Sequence, residues 1–179
     1  MMKNILLVAG LAGFLCAPAF AQSEGRFDIG VKAGGGNYTA QGLDNRGFGN
    51  VGVEACAFCA GHFGLFGEYS HWFSDGSAKA GTITSAELGG FGVRFQGTRR
   101  VRPFFDFGLA VGDDTFPTSS PFNTQIIGEK SHATAGIVLG GGVTIPFNKH
   151  FYVRPQVRFY GMEGRHAAAT AQVGFGWRF

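Results

Sequence analysis

From residue 27 onward the chain alternates apolar positions with polar or side-chain-free ones, in runs of about ten residues separated by turn-forming stretches. The clearest run covers residues 167–179, where Ala169, Ala171, Val173, Phe175, Trp177 and Phe179 are apolar and Thr170, Gln172, Gly174, Gly176 and Arg178 lie between them. A period of two belongs to an extended strand with two unlike faces. The same phase recurs upstream. Residues 27–34 set Phe27, Ile29, Val31 and Ala33 against Asp28, Gly30, Lys32 and Gly34; residues 47–57 set Val51, Val53 and Ala55 against Gly52, Glu54 and Cys56. Residues 62–72 oppose Phe63, Leu65 and Tyr69 to Gly64, Phe66, Glu68 and Ser70, so one apolar ring already falls on the polar side. Residues 83–96 end on Phe91, Val93 and Phe95 against Gly92, Arg94 and Gln96. Residues 101–111 alternate Val101, Pro103, Phe105, Phe107, Leu109 and Val111 with Arg102, Asp106 and Gly108. Residues 133–147 place Ile137, Leu139, Val143 and Ile145 opposite Gly136, Gly140, Gly142 and Thr144, and residues 151–161 place Phe151, Val153, Val157 and Phe159 opposite Tyr152, Arg154, Gln156, Arg158 and Tyr160.

These runs predict eight strands. The stretches between them alternate long and short: 35–46, then 58–61; 73–82, then 97–100; 112–132, then 148–150; finally 162–166. The longest, 112–132, holds Pro117, Pro121 and Thr118-Ser119-Ser120, which favours irregular backbone, and is expected to be a loop. Long loops at one end and tight turns at the other suit antiparallel strands that run up and down.

The last strand grows more aromatic toward its end and stops on Phe179. A strand whose apolar face meets lipid finishes this way, with its final aromatics in an interfacial girdle. The ending Phe175, Trp177, Phe179 resembles the carboxy-terminal signature of bacterial outer-membrane β-barrels, and the whole chain from residue 22 resembles the small eight-stranded barrels of the OmpA/OmpX and opacity-protein type. That resemblance implies an all-β, eight-stranded antiparallel up-and-down transmembrane barrel. It further implies both termini in the periplasm, outer-membrane lipids and lipopolysaccharide as surroundings, and recognition of Phe175, Trp177 and Phe179 by the barrel assembly machinery. The functions it implies are structural, surface-interaction or adhesion roles carried by extracellular loops toward an extracellular ligand or host surface, with no cofactor and no metal. A narrow porin-like channel and a lipid A-modifying hydrolase are the alternatives.

The amino terminus points to the same compartment. Lys3 precedes an apolar run from Ile5 to Phe14, then Pro18 and the small-residue site Ala19-Phe20-Ala21, which reads as a cleavable signal peptide over residues 1–21 and leaves 22–179 as the barrel domain. Cys16 raises a lipoprotein reading, but Leu15 stands where lipidation wants a small residue. No other stretch approaches the roughly 20 apolar residues of a spanning helix.

Composition narrows the picture. Thirty-one Gly and 20 Phe with 15% charged residues suit a wall in which apolar outward positions are diluted by inward ones. A formal charge of +3, with no basic run longer than Arg99-Arg100, does not suggest a nucleic-acid partner; with Arg102 these residues read as a periplasmic turn and its edge. The glycine runs at 34–36, 89–90 and 140–142 lack the following helix and the Lys-Ser/Thr of a phosphate loop.

Phase sorts the side chains. Val53, Phe105, Phe107, Leu139, Val157 and Val173 are expected to face lipid. The lumen should hold Asp28, Glu54, Glu68 and Asp106 against Lys32, Arg94, Arg102, Arg154, Arg158 and Arg178, an excess of two positive charges. An eight-stranded barrel is just wide enough for side chains to fill, so these groups are expected to pair as a network that plugs the barrel, or else to line an anion-leaning pore. For hydrolysis, the available pairs are Ser70-His71 and Ser131-His132. Strand neighbours point to opposite faces, and no orienting carboxylate can be placed beside either pair. Cys56 and Cys59 are too few for zinc. In a straight strand they face opposite ways; across a tight turn through Ala57-Phe58 they come within disulfide reach.

Overall fold

The computed structural model describes residues 27–39, 46–59, 61–74, 84–119 and 126–179, with the side chains of 46, 116–131 and 165 left aside; the expected signal peptide lies outside these residues. Eight strands close into one antiparallel barrel: β1 Phe27–Thr39, β2 Arg46–Ala57, β3 Phe63–Phe73, β4 Ser85–Gln96, β5 Arg102–Ser119, β6 Ile126–Pro146, β7 Phe151–Met162 and β8 His166–Arg178. Each strand pairs with the next, and β1 pairs with β8 from Asp28↔Arg178 to Thr39↔Ala167, so no strand is left as an edge through the body of the barrel. Among the described residues no helix is long and apolar enough to cross a membrane; only a short 3₁₀ turn, Glu163–Arg165, interrupts the strands.

The ladder register carries the period-two pattern around the ring. Among the described side chains, even-numbered positions point inward on every strand and odd-numbered positions outward. Val53, Phe105, Phe107, Val157 and Val173 lie exposed on the outer surface, and Leu139 lies there half-buried. At the end that holds Phe27 and Phe179, the outer surface carries a girdle of rings: Phe151 against Trp177 at 4.4 Å, Trp177 against Phe179 at 6.3 Å, Phe63 against Phe95 at 6.0 Å. Strands meet closely at Gly92↔Gly108, where a Cβ on either residue would overlap the backbone of the other strand.

The structure differs from the expected loops in one large respect. Most of 112–132 is strand: β5 runs on to Ser119, β6 begins at Ile126, and they pair from Asp113↔Ala133 to Ser119↔Ile126 with a register shift at Thr118/Ser119. β4 reaches only Thr115 and β7 only Gly136, so the top of this hairpin stands beyond its neighbours. Pro117, a turn signal in the sequence, is tolerated there because, among the described residues, β5 above Thr115 has a partner on one side only. β1 likewise continues five residues past the expected strand, to Thr39.

Candidate functional site: the filled lumen and its two ends

The lumen begins with two carboxylates that should repel. Glu54 on β2 and Glu68 on β3 are direct cross-strand partners, both buried, an arrangement that destabilises a sheet unless cations intervene. Three do. Lys32 Nζ lies 2.5 Å from Glu68 Oε2, Arg158 Nε lies 3.1 Å from the same oxygen, and Arg154 Nη1 lies 2.6 Å from Glu54 Oε1. Toward the end that holds both Phe27 and Phe179, Arg154 also reaches Asp28 (3.1 Å) and Arg178 pairs with Asp28 through Nε at 2.7 Å and Nη2 at 2.9 Å. Arg94 donates two bonds of 2.8 Å to Asp106, its direct partner on β5, and Arg158 Nη1 approaches Asp106 Oδ2 at 2.6 Å. The Arg158 N–H groups do not align as hydrogen bonds, so Arg158 acts through charge proximity. Asp28, Lys32, Glu54, Glu68, Arg94, Asp106, Arg154, Arg158 and Arg178 thus form one connected network.

Small residues and flat rings make room for it. A Cβ at Gly140 would overlap the Arg158 side chain, one at Gly176 the Tyr152 ring, and one at Gly90 would press on Glu68. The guanidinium of Arg94 sits 4.3 Å from the Phe104 ring centroid, that of Arg154 4.4 Å from Tyr152, and that of Arg158 5.1 Å from Phe66, so apolar inward side chains stack against the cations.

Above the charges lies a layer that the sequence reading did not anticipate. Tyr38, Phe48, Trp72, Leu88, Val138, Tyr160 and Met162 are buried together across the far half of the lumen, with Trp72 edge-on to Tyr160 at 6.2 Å and to Tyr38 at 6.3 Å. Their signal was present: every one occupies an even position. Tyr160 ties the layers together by donating its hydroxyl to Glu68 Oε1 at 2.8 Å.

At the far mouth Asp114 is fully buried, accepts the Tyr38 hydroxyl and lies 2.8 Å from His166 Nδ1. The His166 ring stacks on His132 at 5.7 Å. Asp114 was missed because 112–132 read as loop. Its presence changes the expected surplus of two positive charges: Arg102 sits half-buried at the near rim, where Nη1 donates to the Cys59 carbonyl at 3.4 Å, and among the described side chains the buried lumen holds five acids, Asp28, Glu54, Glu68, Asp106 and Asp114, against five bases, Lys32, Arg94, Arg154, Arg158 and Arg178. Ser131 and His132 lie in β6 rather than in a loop, and Asp114 is the direct partner of His132, so a carboxylate does stand near that pair. Ser70 is buried inside the wall and His71 is on the outer face.

At the near mouth the β2–β3 turn folds inward. Cys56 and Cys59 are joined as a disulfide with Cα atoms 5.9 Å apart, and Cys59 is buried. Its carbonyl accepts from Gln96 Nε2 as well as from Arg102. Phe58 within this turn has φ of 62°, a left-handed conformation that bulky residues rarely adopt. Among the described residues no cluster of His, Cys, Asp and Glu can hold a metal ion. Phe175, Trp177 and Phe179 line the outer face of β8, each exposed.

Solved structures share this architecture. Neisserial surface protein A is 10% identical with a TM-score of 0.69, and Ail, the attachment invasion locus protein of Yersinia pestis, is 15% identical with a TM-score of 0.62; each comparison covers 88% of this chain and 100% of the other. The N-terminal β-barrel domain of OprF from Pseudomonas aeruginosa is 17% identical with a TM-score of 0.60, at the same coverage. A search by sequence among curated proteins finds no match. Residues 7–179 match the family described as outer membrane protein beta-barrel domain. With its closed eight-stranded wall, its apolar outer face and this match over nearly the whole chain, the protein belongs to that family of bacterial outer-membrane β-barrels.

Proposed function

We propose that the barrel is a non-conducting membrane anchor, and that its function is surface interaction carried by the extracellular end, chiefly by the β5–β6 hairpin. One observation carries this reading: the lumen is occupied by a connected ion network below and an aromatic layer above, with Trp72, Arg154 and Arg158 all at 0–1% exposure. A solute would have to break both layers, and removing one partner of a buried ion pair costs about 3–5 kcal/mol.

Short turns at the end that holds Phe179 and a long hairpin at the other favour an orientation with the first in the periplasm and the second outside the cell. Beyond Thr115 and Gly136 the hairpin has, among the described residues, ladder partners on one side only. Such an edge accepts an extended segment of another protein by main-chain hydrogen bonds, which favours a contact role outside the cell.

The experiment has two arms. Purified barrel reconstituted in planar bilayers is expected to show no unitary conductance. Bacteria expressing a variant with residues 116–129 replaced by a two-residue turn are expected to lose adherence to cultured epithelial cells while the variant still reaches the outer membrane. Steady conductance that changes on Arg158→Gln would favour the channel instead, and unchanged adherence would remove the hairpin from the role.

A further inference from the structure

We infer that the periplasmic rim carries a site for an anionic phospholipid of the inner-facing leaflet, built on the β4–β5 turn. A groove of about 630 Å³ opens there, lined by His62, Thr98, Arg99, Arg100, Val101 and Pro103 with the backbone of Gly97. The turn is held by Gly97 N–H donating to the Pro103 carbonyl at 2.8 Å, and it is fixed against β3 by Gln96 N–H donating to the His62 carbonyl at 2.9 Å. The groove is therefore a feature of ordered backbone.

Its chemistry is divided. Val101 and Pro103 are exposed and continue the apolar outer face through Phe105, beside the Phe63–Phe95 ring pair. Arg99 and Arg100 are exposed above them and enter no ion pair among the described residues. Every exposed charged side chain described at this end is basic, with Lys149 as the third, since Asp28 is sealed inside against Arg154 and Arg178. Described acids outside the lumen, Glu87, Asp113 and Glu163, all lie toward the other end. An apolar floor at the hydrocarbon boundary under two unpaired guanidinium groups matches a molecule with an anionic phosphate head and acyl tails. Arginine is suited to that head by its planar fork of donors, and basic groups at a membrane surface attract anionic lipid. The occupant is an anionic glycerophospholipid with its phosphate at Arg99 and Arg100 and its tails along Val101, Pro103 and Phe105.

This site stands apart from the surface role. Its test is native mass spectrometry of the full barrel released from nanodiscs of equal phosphatidylglycerol and phosphatidylcholine. The barrel is expected to retain phosphatidylglycerol several-fold over phosphatidylcholine. Arg99→Gln/Arg100→Gln should bring the two to parity, whereas Lys149→Gln on the neighbouring turn should leave the preference intact. Heat-modifiable gel mobility checks that each variant is folded, and the single Arg100→Gln, expected at an intermediate preference, serves if the double variant is not. Parity in the unmodified barrel, an undiminished preference in the arginine variant, or an equal loss in Lys149→Gln would each overturn the site.

Discussion

Arg158 on β7 and Asp106 on β5 face each other across the lumen, Nη1 to Oδ2 at 2.6 Å, with no solvent exposure on either side chain. Asp106 is shared with Arg94, and Arg158 is shared with Glu68 and, at 3.8 Å, Glu54. Neither residue belongs to a private pair, so the loss of one is felt as an unbalanced charge in the whole network.

Replacing one charge should therefore cost more than half of replacing two. Arg158→Gln strips a base from Asp106 and Glu68, and Asp106→Asn strips an acid from Arg158 and Arg94, while the double variant removes both members of one contact. We expect the double variant to be more stable than the sum of the singles by roughly 1–3 kcal/mol, the range of coupling between contacting residues. Urea unfolding in lipid vesicles, followed by tryptophan fluorescence, measures it; strict additivity would mean the network is not coupled.

Phe107 lies exposed on the outer face near mid-depth, between Val93 and Leu139 on the adjacent strands. Phe107→Arg is expected to destabilise the barrel by about 2–4 kcal/mol in bilayers, the cost of a cation at the lipid midplane. The same change at exposed Thr98, in a turn, should cost little.

The Cys56–Cys59 bridge closes a very short loop, so its removal by Cys56→Ser/Cys59→Ser should cost only about 1–2 kcal/mol. Thiol titration of the denatured, unreduced mature protein is expected to find no free thiol. In the serine variant Phe58→Gly should recover part of the loss, because glycine adopts the φ of 62° without a Cβ penalty. A further loss on adding Phe58→Gly would show that the ring contributes more than the backbone.

Phe179 packs at the near rim against Phe27 (5.9 Å), and its N–H donates to the Phe27 carbonyl at 2.9 Å. Phe179→Ser is expected to lower the amount of barrel reaching the outer membrane several-fold while in vitro refolding into detergent stays nearly unchanged. Phe175→Ser, deeper on the lipid face and stacked on Phe151 at 5.7 Å, should damage both. Fractionation of cells beside a refolding assay separates the two. Normal insertion of the Phe179 variant would reduce that ring to an interfacial anchor.

Alternation by itself determined the strand number and which side of the wall each residue occupies, because a period of two leaves a side chain only two directions. Val53, Phe107 and Val173 on the outside, and Asp28, Glu68 and Arg158 on the inside, follow from parity alone. The Arg94–Asp106 pair is nearly as local, since both flank one short turn and are ladder partners. The height of β5 and β6 was hidden because Pro117 and the Thr118-Ser119-Ser120 run report local preference, whereas the long ladder from Asp113↔Ala133 upward is a tertiary gain that overrides it. Local preference alone gives Asp114 no place in the lumen; the ladder that buries it does.

Only closure of the ring decided the remaining partners. Arg154 meets Glu54 across 100 residues and Arg178 meets Asp28 across 150; parity puts each of them inside but says nothing of which wall faces which, or at what height. The β1–β8 register sets both. It also brings Tyr38, Trp72 and Tyr160 to one level and makes an apolar layer from rings that lie on three different strands. The physical reason is that the side-chain period is a property of the backbone, while depth and opposition in a barrel are properties of how all eight strands are staggered at once.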